Sequence, residues 1–252
     1  AHVAGRMFYT FAMIESCSVI NLVESLETIT SDQQEVAPTI HFAVPRVWEK
    51  QYSTIAIKLK EATAFGRLAY NLALSIGTRA AGYRKQNIKI PFPLNLLNLI
   101  ADQLVFKNLR RLLGIDQCRW LSTAAAPIAP DLIDWYWCIG KPMYAVYGQT
   151  ECTGLATANY SHDLRIGSVG KAVDDVEVTL SENDEILIKS PGIIKGYWNN
   201  PDKTAETIRQ GWLYTGDVGR VDEDGFVYIV DRIKDIIITA GGKNITPSEI
   251  EN

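Results

Sequence analysis

Apolar positions in the first half of the chain recur with a helical period. Ile55, Leu59, Ala62, Phe65, Ala69, Leu72 and Ile76 follow one another at spacings of three and four, which predicts one long amphipathic helix. Leu97, Ile100, Leu104 and Leu112 predict a second helix, closed by Gly114. Arg119 to Thr123 reads as a strand, and Pro130 opens a short helix that Gly140 ends. The apolar run Met143 to Tyr147 is short enough for a buried strand. Strand, helix and strand at this spacing predict a parallel α/β sheet. The second half alternates with period two. Val176, Val178 and Leu180 lead through Glu182-Asn183-Asp184 to Ile186 and Ile188, a hairpin pattern. Asp224-Gly225 joins Arg220-Val221 to Phe226–Val230 in the same manner. Between the hairpins, Asn200-Pro201 starts a helix that Gly211 is expected to stop. This half reads as antiparallel β, part of a barrel.

Composition narrows the classes. Of 252 residues, 47% are apolar and 21% charged, an ordinary globular profile. A net charge of −4 argues against a nucleic-acid binder, which would carry a basic stripe. Cys17, Cys118, Cys138 and Cys152 are scattered without a C-x-x-C pair, and His2, His41 and His162 do not cluster near them. Neither a disulfide scaffold nor a zinc site is expected, and a reducing cytoplasm is the simplest setting. The most apolar stretch, Ile90 to Leu113, is interrupted by Asn95, Asn98, Asp102, Lys107, Arg110 and Arg111, so no membrane span is expected. It could touch a membrane surface, although a core or lid helix is the favoured reading. The chain opens at Ala1 and closes on Thr246-Pro247-Ser248-Glu249-Ile250-Glu251-Asn252, which reads as a helix start without a body. The expectation is a piece cut from a longer chain.

Four segments could carry chemistry. Tyr147-Gly148-Gln149-Thr150-Glu151 follows a strand directly, where α/β sheets bind ligands. Its glycine lets backbone approach a ligand, its threonine can bond a phosphate and its glutamate can hold magnesium. Ser122-Thr123-Ala124-Ala125-Ala126-Pro127 presents small side chains on which a flat ring could lie, or simply a tight junction. Tyr214-Thr215-Gly216-Asp217 ends in a carboxylate able to accept both hydroxyls of a ribose, yet a Gly-Asp pair alone is usually a turn. The last, Asp231-Arg232-Ile233-Lys234-Asp235, leads through Gly241-Gly242-Lys243 to Thr246. Charged residues between β runs are ordinarily solvated linker. Neither G-x-x-x-x-G-K-[ST] nor G-x-G-x-x-G occurs, so both common nucleotide loops are excluded.

The order of these segments resembles the adenylate-forming superfamily of acyl-CoA synthetases, luciferases and nonribosomal peptide adenylation domains, over nearly the whole chain. Val44–Lys50 and Ile236–Ile245 are similar to segments of the long-chain and bubblegum-type acyl-CoA synthetases. His2-Val3-Ala4-Gly5-Arg6 is similar to the stretch that follows the family's phosphate loop. The resemblance implies an α/β fold: the C-terminal part of the large adenylating domain with the start of the small C-terminal domain. It divides the chain into an α/β part (1–165), a β-rich part (166–231) and a hinge with a truncated small domain (232–252). It implies a ligase that joins a fatty acid to CoA through an acyl-adenylate, using ATP and Mg2+. The nucleotide would meet Tyr147, Gly148, Gln149 and Thr150, with Thr150 on the α-phosphate and Glu151 on magnesium. Ala125 and Ala126 would line the adenine and acyl sites, Asp217 and Arg232 would hold the ribose, and Lys234 would be the hinge. The family's phosphate loop and its C-terminal catalytic lysine have no counterpart here, so the piece alone is expected to be inactive or nearly so. Two other readings stay open: another acyl- or aryl-acid ligase, and a non-catalytic nucleotide- or acyl-binding module.

Overall fold

A computed structural model describes residues 3–25, 27–233, 237–238 and 244–245. The chain divides into two units, one of residues 21–144 and 160–166, the other of 1–20, 145–159 and 167–252.

In the first unit, α1 (Ile29–Val36) leads into β1 (Ile40–Ala43), and α2 (Pro45–Glu61) follows with proline in its first turn, where the missing N–H is harmless. Trp48 and Ile55 of α2 are buried. Trp48 Nε1 donates to Ala43 O at 3.1 Å, which fixes the strand-to-helix corner. The expected single helix is two. Ala62 and Thr63 are extended at ψ 154 and 158, and Thr63 Oγ1 accepts from Gly66 N at 3.1 Å to cap α3 (Ala64–Lys85). The apolar period runs through the break, but the face does not: Ile55 is buried, whereas Phe65 and Leu72 are exposed. α3 instead packs through Ala73, Gly77, Ala80 and Ala81. A Cβ at Gly77 would lie 2.6 Å from Cys138 O, so only glycine allows this approach to α6 (Pro130–Cys138).

The second predicted helix is continuous but changes pitch. It comprises α4 (Phe92–Ala101), a π-helical turn (Asp102–Phe106) and α5 (Lys107–Leu112), and Gly114 closes it at φ +69. Arg110 clamps Asp102 with two bonds, of 2.5 and 3.0 Å, across the π turn. β2 (Trp120–Thr123) pairs in parallel with β1, Ile40 opposite Trp120 and Ala43 opposite Thr123. β3 (Met143–Tyr147) is next in order. Among the described residues no helix is long and apolar enough to cross a membrane.

The second unit takes over at Ala145. β4 (Thr157–Ala158) pairs with β3 and with β5 (Lys171–Ala172), both antiparallel. The predicted hairpins are present: β6 (Glu177–Leu180) with β7 (Glu185–Lys189), and β9 (Trp212–Val221) with β10 (Val227–Arg232). They form one antiparallel sheet in the order β10-β9-β7-β6. Ile186, Ile188, Leu213 and Val227 meet Cys152 and Ala156 in its core. The helix begun at Pro201, α7 (Pro201–Thr207), does not reach Gly211. Ile208 is already extended and pairs with Leu213, forming β8 (Ile208–Arg209), and Gln210 and Gly211 make the turn at φ +52 and +82. Two positive φ values suit a two-residue hairpin better than a helix stop.

One glycine ties β10 to the β4–β5 pair. Val169 N donates to Val227 O at 2.8 Å and Val227 N donates to Gly170 O at 2.9 Å. Gly170 sits at φ +86 with space for a Cβ only 1.9 Å from Ala158 C. Gly170→Ala should therefore cost more than about 4 kcal/mol, combining φ strain with a backbone clash. Urea unfolding of the natural-length protein should show a lowered midpoint, and an unchanged midpoint would refute the tight approach.

Candidate functional site

The candidate site is assembled on the second unit, where β3 ends and β9 bulges. After Tyr147 the chain turns back on itself: Ala156 N donates to Tyr147 O and Gly154 N to Gln149 O, both at 2.8 Å. Gly148 permits this, since a Cβ there would meet Gly154 O at 2.6 Å. Thr150–Cys152 forms a short 3-10 turn that leaves Thr150 exposed and Glu151 half-buried. Cys152 points inward, accepts from Gln149 N at 3.2 Å and has its thiol pushed up by burial, so it braces the loop as an inert thiol.

β9 supplies the buried carboxylate. Glu185 pairs with Val218 and Leu187 with Tyr214, so four steps of β9 oppose two of β7. Thr215, Gly216 and Asp217 therefore face the single residue Ile186, two residues in excess, and they belong to the motif picked out from the sequence. Thr215 Oγ1 donates to Ile186 O at 2.7 Å and accepts from Asp217 N at 3.1 Å, while Gly216 N donates to Glu185 Oε1 at 2.8 Å. Bulges of this kind re-aim a side chain, and here the side chain is Asp217.

Three donors converge on the Asp217 carboxylate. Oδ2 accepts from Tyr147 OH and from Gln149 Nε2, each at 2.6 Å, and Oδ1 lies 2.7 Å from Arg232 Nε. Gln149 Nε2 also reaches Thr215 O at 2.9 Å. Asp217 is buried, whereas the Arg232 side chain is 59% exposed and screened by solvent, so the short neutral donors matter as much as the ion pair.

A second bulge selects the cation. β10 opposes Ile229 to Gly219, then Asp231 to Val218 and Arg232 to Asp217, with the register shift between Ile229 and Asp231. Unshifted pairing would set Asp231 against Asp217, and like charges directly opposite are destabilising. The extra residue, Val230, replaces repulsion with attraction.

Tyr147, Gln149, Asp217 and Arg232 are thus brought together, with Gly148, Thr150 and Glu151 in the same loop. Ala125 and Ala126 belong to the first unit, exposed in the loop after β2, where Ala125 adopts φ +74. Thr123 just before them is buried, and its hydroxyl lacks a hydrogen-bond partner. Lys234 and the helix start at Thr246 lie outside the described residues. Sequence reasoning missed Tyr197, whose hydroxyl donates to Glu151 Oε1 at 2.7 Å while Ile194 N holds Glu151 O at 2.9 Å. No spacing rule connects residues 46 apart.

Residues 1–198 match the family model described as AMP-binding enzyme. The chain belongs to the AMP-binding enzyme family. It is 36% identical over 254 residues to the putative fatty-acid–CoA ligase fadD11 of Mycobacterium tuberculosis H37Rv, covering 100% of this chain and 44% of that one. To the long-chain-fatty-acid–CoA ligase ACSBG2 of Xenopus laevis it is 38% identical over 226 residues, 87% of this chain and 30% of that one. Its fold is shared with the O-succinylbenzoate CoA synthetase MenE of Bacillus subtilis in complex with ATP and magnesium, at a TM-score of 0.64 and 21% identity, over 99% of this chain and 43% of that one. The chain therefore spans under half the length of these relatives.

Burial and the neighbouring Asp217 charge raise the Tyr147 phenol above its ordinary 10.0. The folded state holds this proton more tightly than the unfolded chain does. Its contribution is thus complete below about pH 10 and is lost as pH rises further. Tyr147→Phe should flatten the alkaline fall in stability by up to about 1.4 kcal/mol per pH unit. Urea titrations above pH 10 measure it, and an unaltered slope contradicts the assignment.

Proposed function

We propose that this chain is the nucleotide-handling part of a long-chain fatty acid–CoA ligase, which converts ATP, a fatty acid and CoA into acyl-CoA, AMP and pyrophosphate. The observation that carries the reading is the buried Asp217 carboxylate, gathered with Tyr147, Gln149 and Arg232 beside an exposed Thr150 in an AMP-binding family member. The long-chain assignment is supported by the relatives' names at 36 and 38% identity.

In this reading Asp217 accepts the ribose hydroxyls through lone pairs left free by its three donors, and Arg232 closes over the sugar from its exposed position. Tyr147, Gly148 and Gln149 form the wall, Thr150 Oγ1 donates to the α-phosphate, and Ala125 and Ala126 line the adenine and acyl sites. The fatty carboxylate attacks the α-phosphorus and pyrophosphate leaves. The CoA thiol then attacks the acyl carbonyl and AMP leaves. Magnesium is ordinarily held by one or two carboxylates plus phosphates and water, so Glu151, oriented by Tyr197, suits it. When bound, the ion neutralises phosphate charge. Residues 1–165 and 166–231 would be parts of the large domain and 232–252 the start of the small one, turning about Lys234 between the half-reactions.

The test is ATP–pyrophosphate exchange by the natural-length protein with acids from acetate to oleate. Exchange should require a long-chain acid, and Asp217→Ala should lower it roughly 100-fold, a loss of about 2.7 kcal/mol. Exchange with short acids alone would refute the chain-length assignment, and no exchange with any acid would refute the ligase reading.

A further inference from the structure

The turn that carries Glu151 is tied at three points to residues 192–200, which lead from β7 to α7. Thr153 Oγ1 donates to Gly192 O, Ile194 N donates to Glu151 O at 2.9 Å, and Tyr197 OH donates to Glu151 Oε1 at 2.7 Å. This segment is itself braced. Tyr197 N donates to Thr204 Oγ1 at 2.9 Å, and the same hydroxyl donates to Asn200 O at 2.9 Å, which seats Tyr197 on the first turn of α7. Gly196 makes the close approach possible, since a Cβ there would lie 2.7 Å from Thr204 Cγ2. The phenol is therefore a donor held in place from its own main chain. Among the described residues no hydrogen bond or ion pair reaches the other carboxylate oxygen, Glu151 Oε2.

A carboxylate with one oxygen engaged by a phenol is biased towards offering the other oxygen alone. Magnesium demands a near-ideal octahedron and accepts single carboxylate oxygens, filling its remaining positions with phosphates and water. Calcium is larger, takes about six to eight oxygens and readily uses both oxygens of one carboxylate. A donor fixed on Oε1 thus favours the smaller ion.

We propose that Tyr197 is a positioning residue that makes Glu151 a single-oxygen ligand and so selects magnesium over calcium as the ion accompanying ATP. The inference rests on the reading of Glu151 as the magnesium carboxylate and adds the residue that sets its cation preference. Side chains that hold a ligand without touching the ion commonly change metal affinity by about 10- to 100-fold when removed.

Calorimetric titration of the natural-length protein with MgATP and with CaATP, without fatty acid or CoA, tests this by binding rather than turnover. Wild type should bind MgATP at least about tenfold more tightly than CaATP. Tyr197→Phe keeps the ring and removes only the donor, and it should narrow that preference about tenfold, chiefly through weaker MgATP binding. Thr204→Val supplies a second variant with Tyr197 intact. It removes the acceptor for Tyr197 N and should narrow the preference in the same direction, whereas Thr204→Ser should keep it. Equal weakening of both complexes by Tyr197→Phe would mark a merely structural role and overturn the proposal. A wild type without preference, or a preference that survives Tyr197→Phe, would overturn it too. Binding of neither complex by wild type would overturn the nucleotide reading of the site, and this inference with it.

Discussion

A buried carboxylate is costly unless donors surround it, and Asp217 imposes that demand on the β-rich unit. Three donors meet it, from β3, the loop after β3 and the end of β10. None is adjacent to Asp217 in sequence. Their convergence requires β9 to bulge at Thr215–Asp217, β10 to carry one extra residue and the loop after Tyr147 to fold back through Gly148 and Gly154. Removing Tyr147 or Gln149 leaves charge under-satisfied on the buried side, where the penalty is largest.

The same constraint explains why the site is poised. Tyr147 and Gln149 are neutral donors, and Tyr147 keeps its proton because burial and the Asp217 charge both oppose ionisation. Arg232, mostly solvated, can move at little cost. The carboxylate is therefore held on its inner side by two neutral donors and on its outer side by a solvated cation. Glu151 is arranged similarly, with Tyr197 holding one carboxylate oxygen.

What the sequence made legible was local. The hairpins at Glu182–Asp184 and Asp224-Gly225 were readable because turn chemistry and two-residue alternation act within a few positions. Tyr147, Gln149, Asp217 and Arg232 were picked out by residue type within short motifs, and the fold brings these four together. The break at Ala62-Thr63 was hidden because apolar spacing continues through it, although Thr63 three residues before Gly66 is a cap signal. The end of α7 was misread because Gly211 serves a hairpin turn there. Tyr197 and the Val230 bulge depend on tertiary pairing, which periodicity does not encode. The doubled charge Asp231-Arg232 did hold a clue, since only a register shift places the right one opposite Asp217.

The most direct test of Asp217 as the ribose acceptor is calorimetric titration of the natural-length protein with AMP and 2′,3′-dideoxy-AMP, repeated on Asp217→Asn. Wild type should bind AMP at least about tenfold more tightly than the dideoxy nucleotide, about 1.4 kcal/mol, and Asp217→Asn should lose most of that preference. Equal affinity of wild type for both nucleotides, or a preference that survives Asp217→Asn, would contradict the assignment.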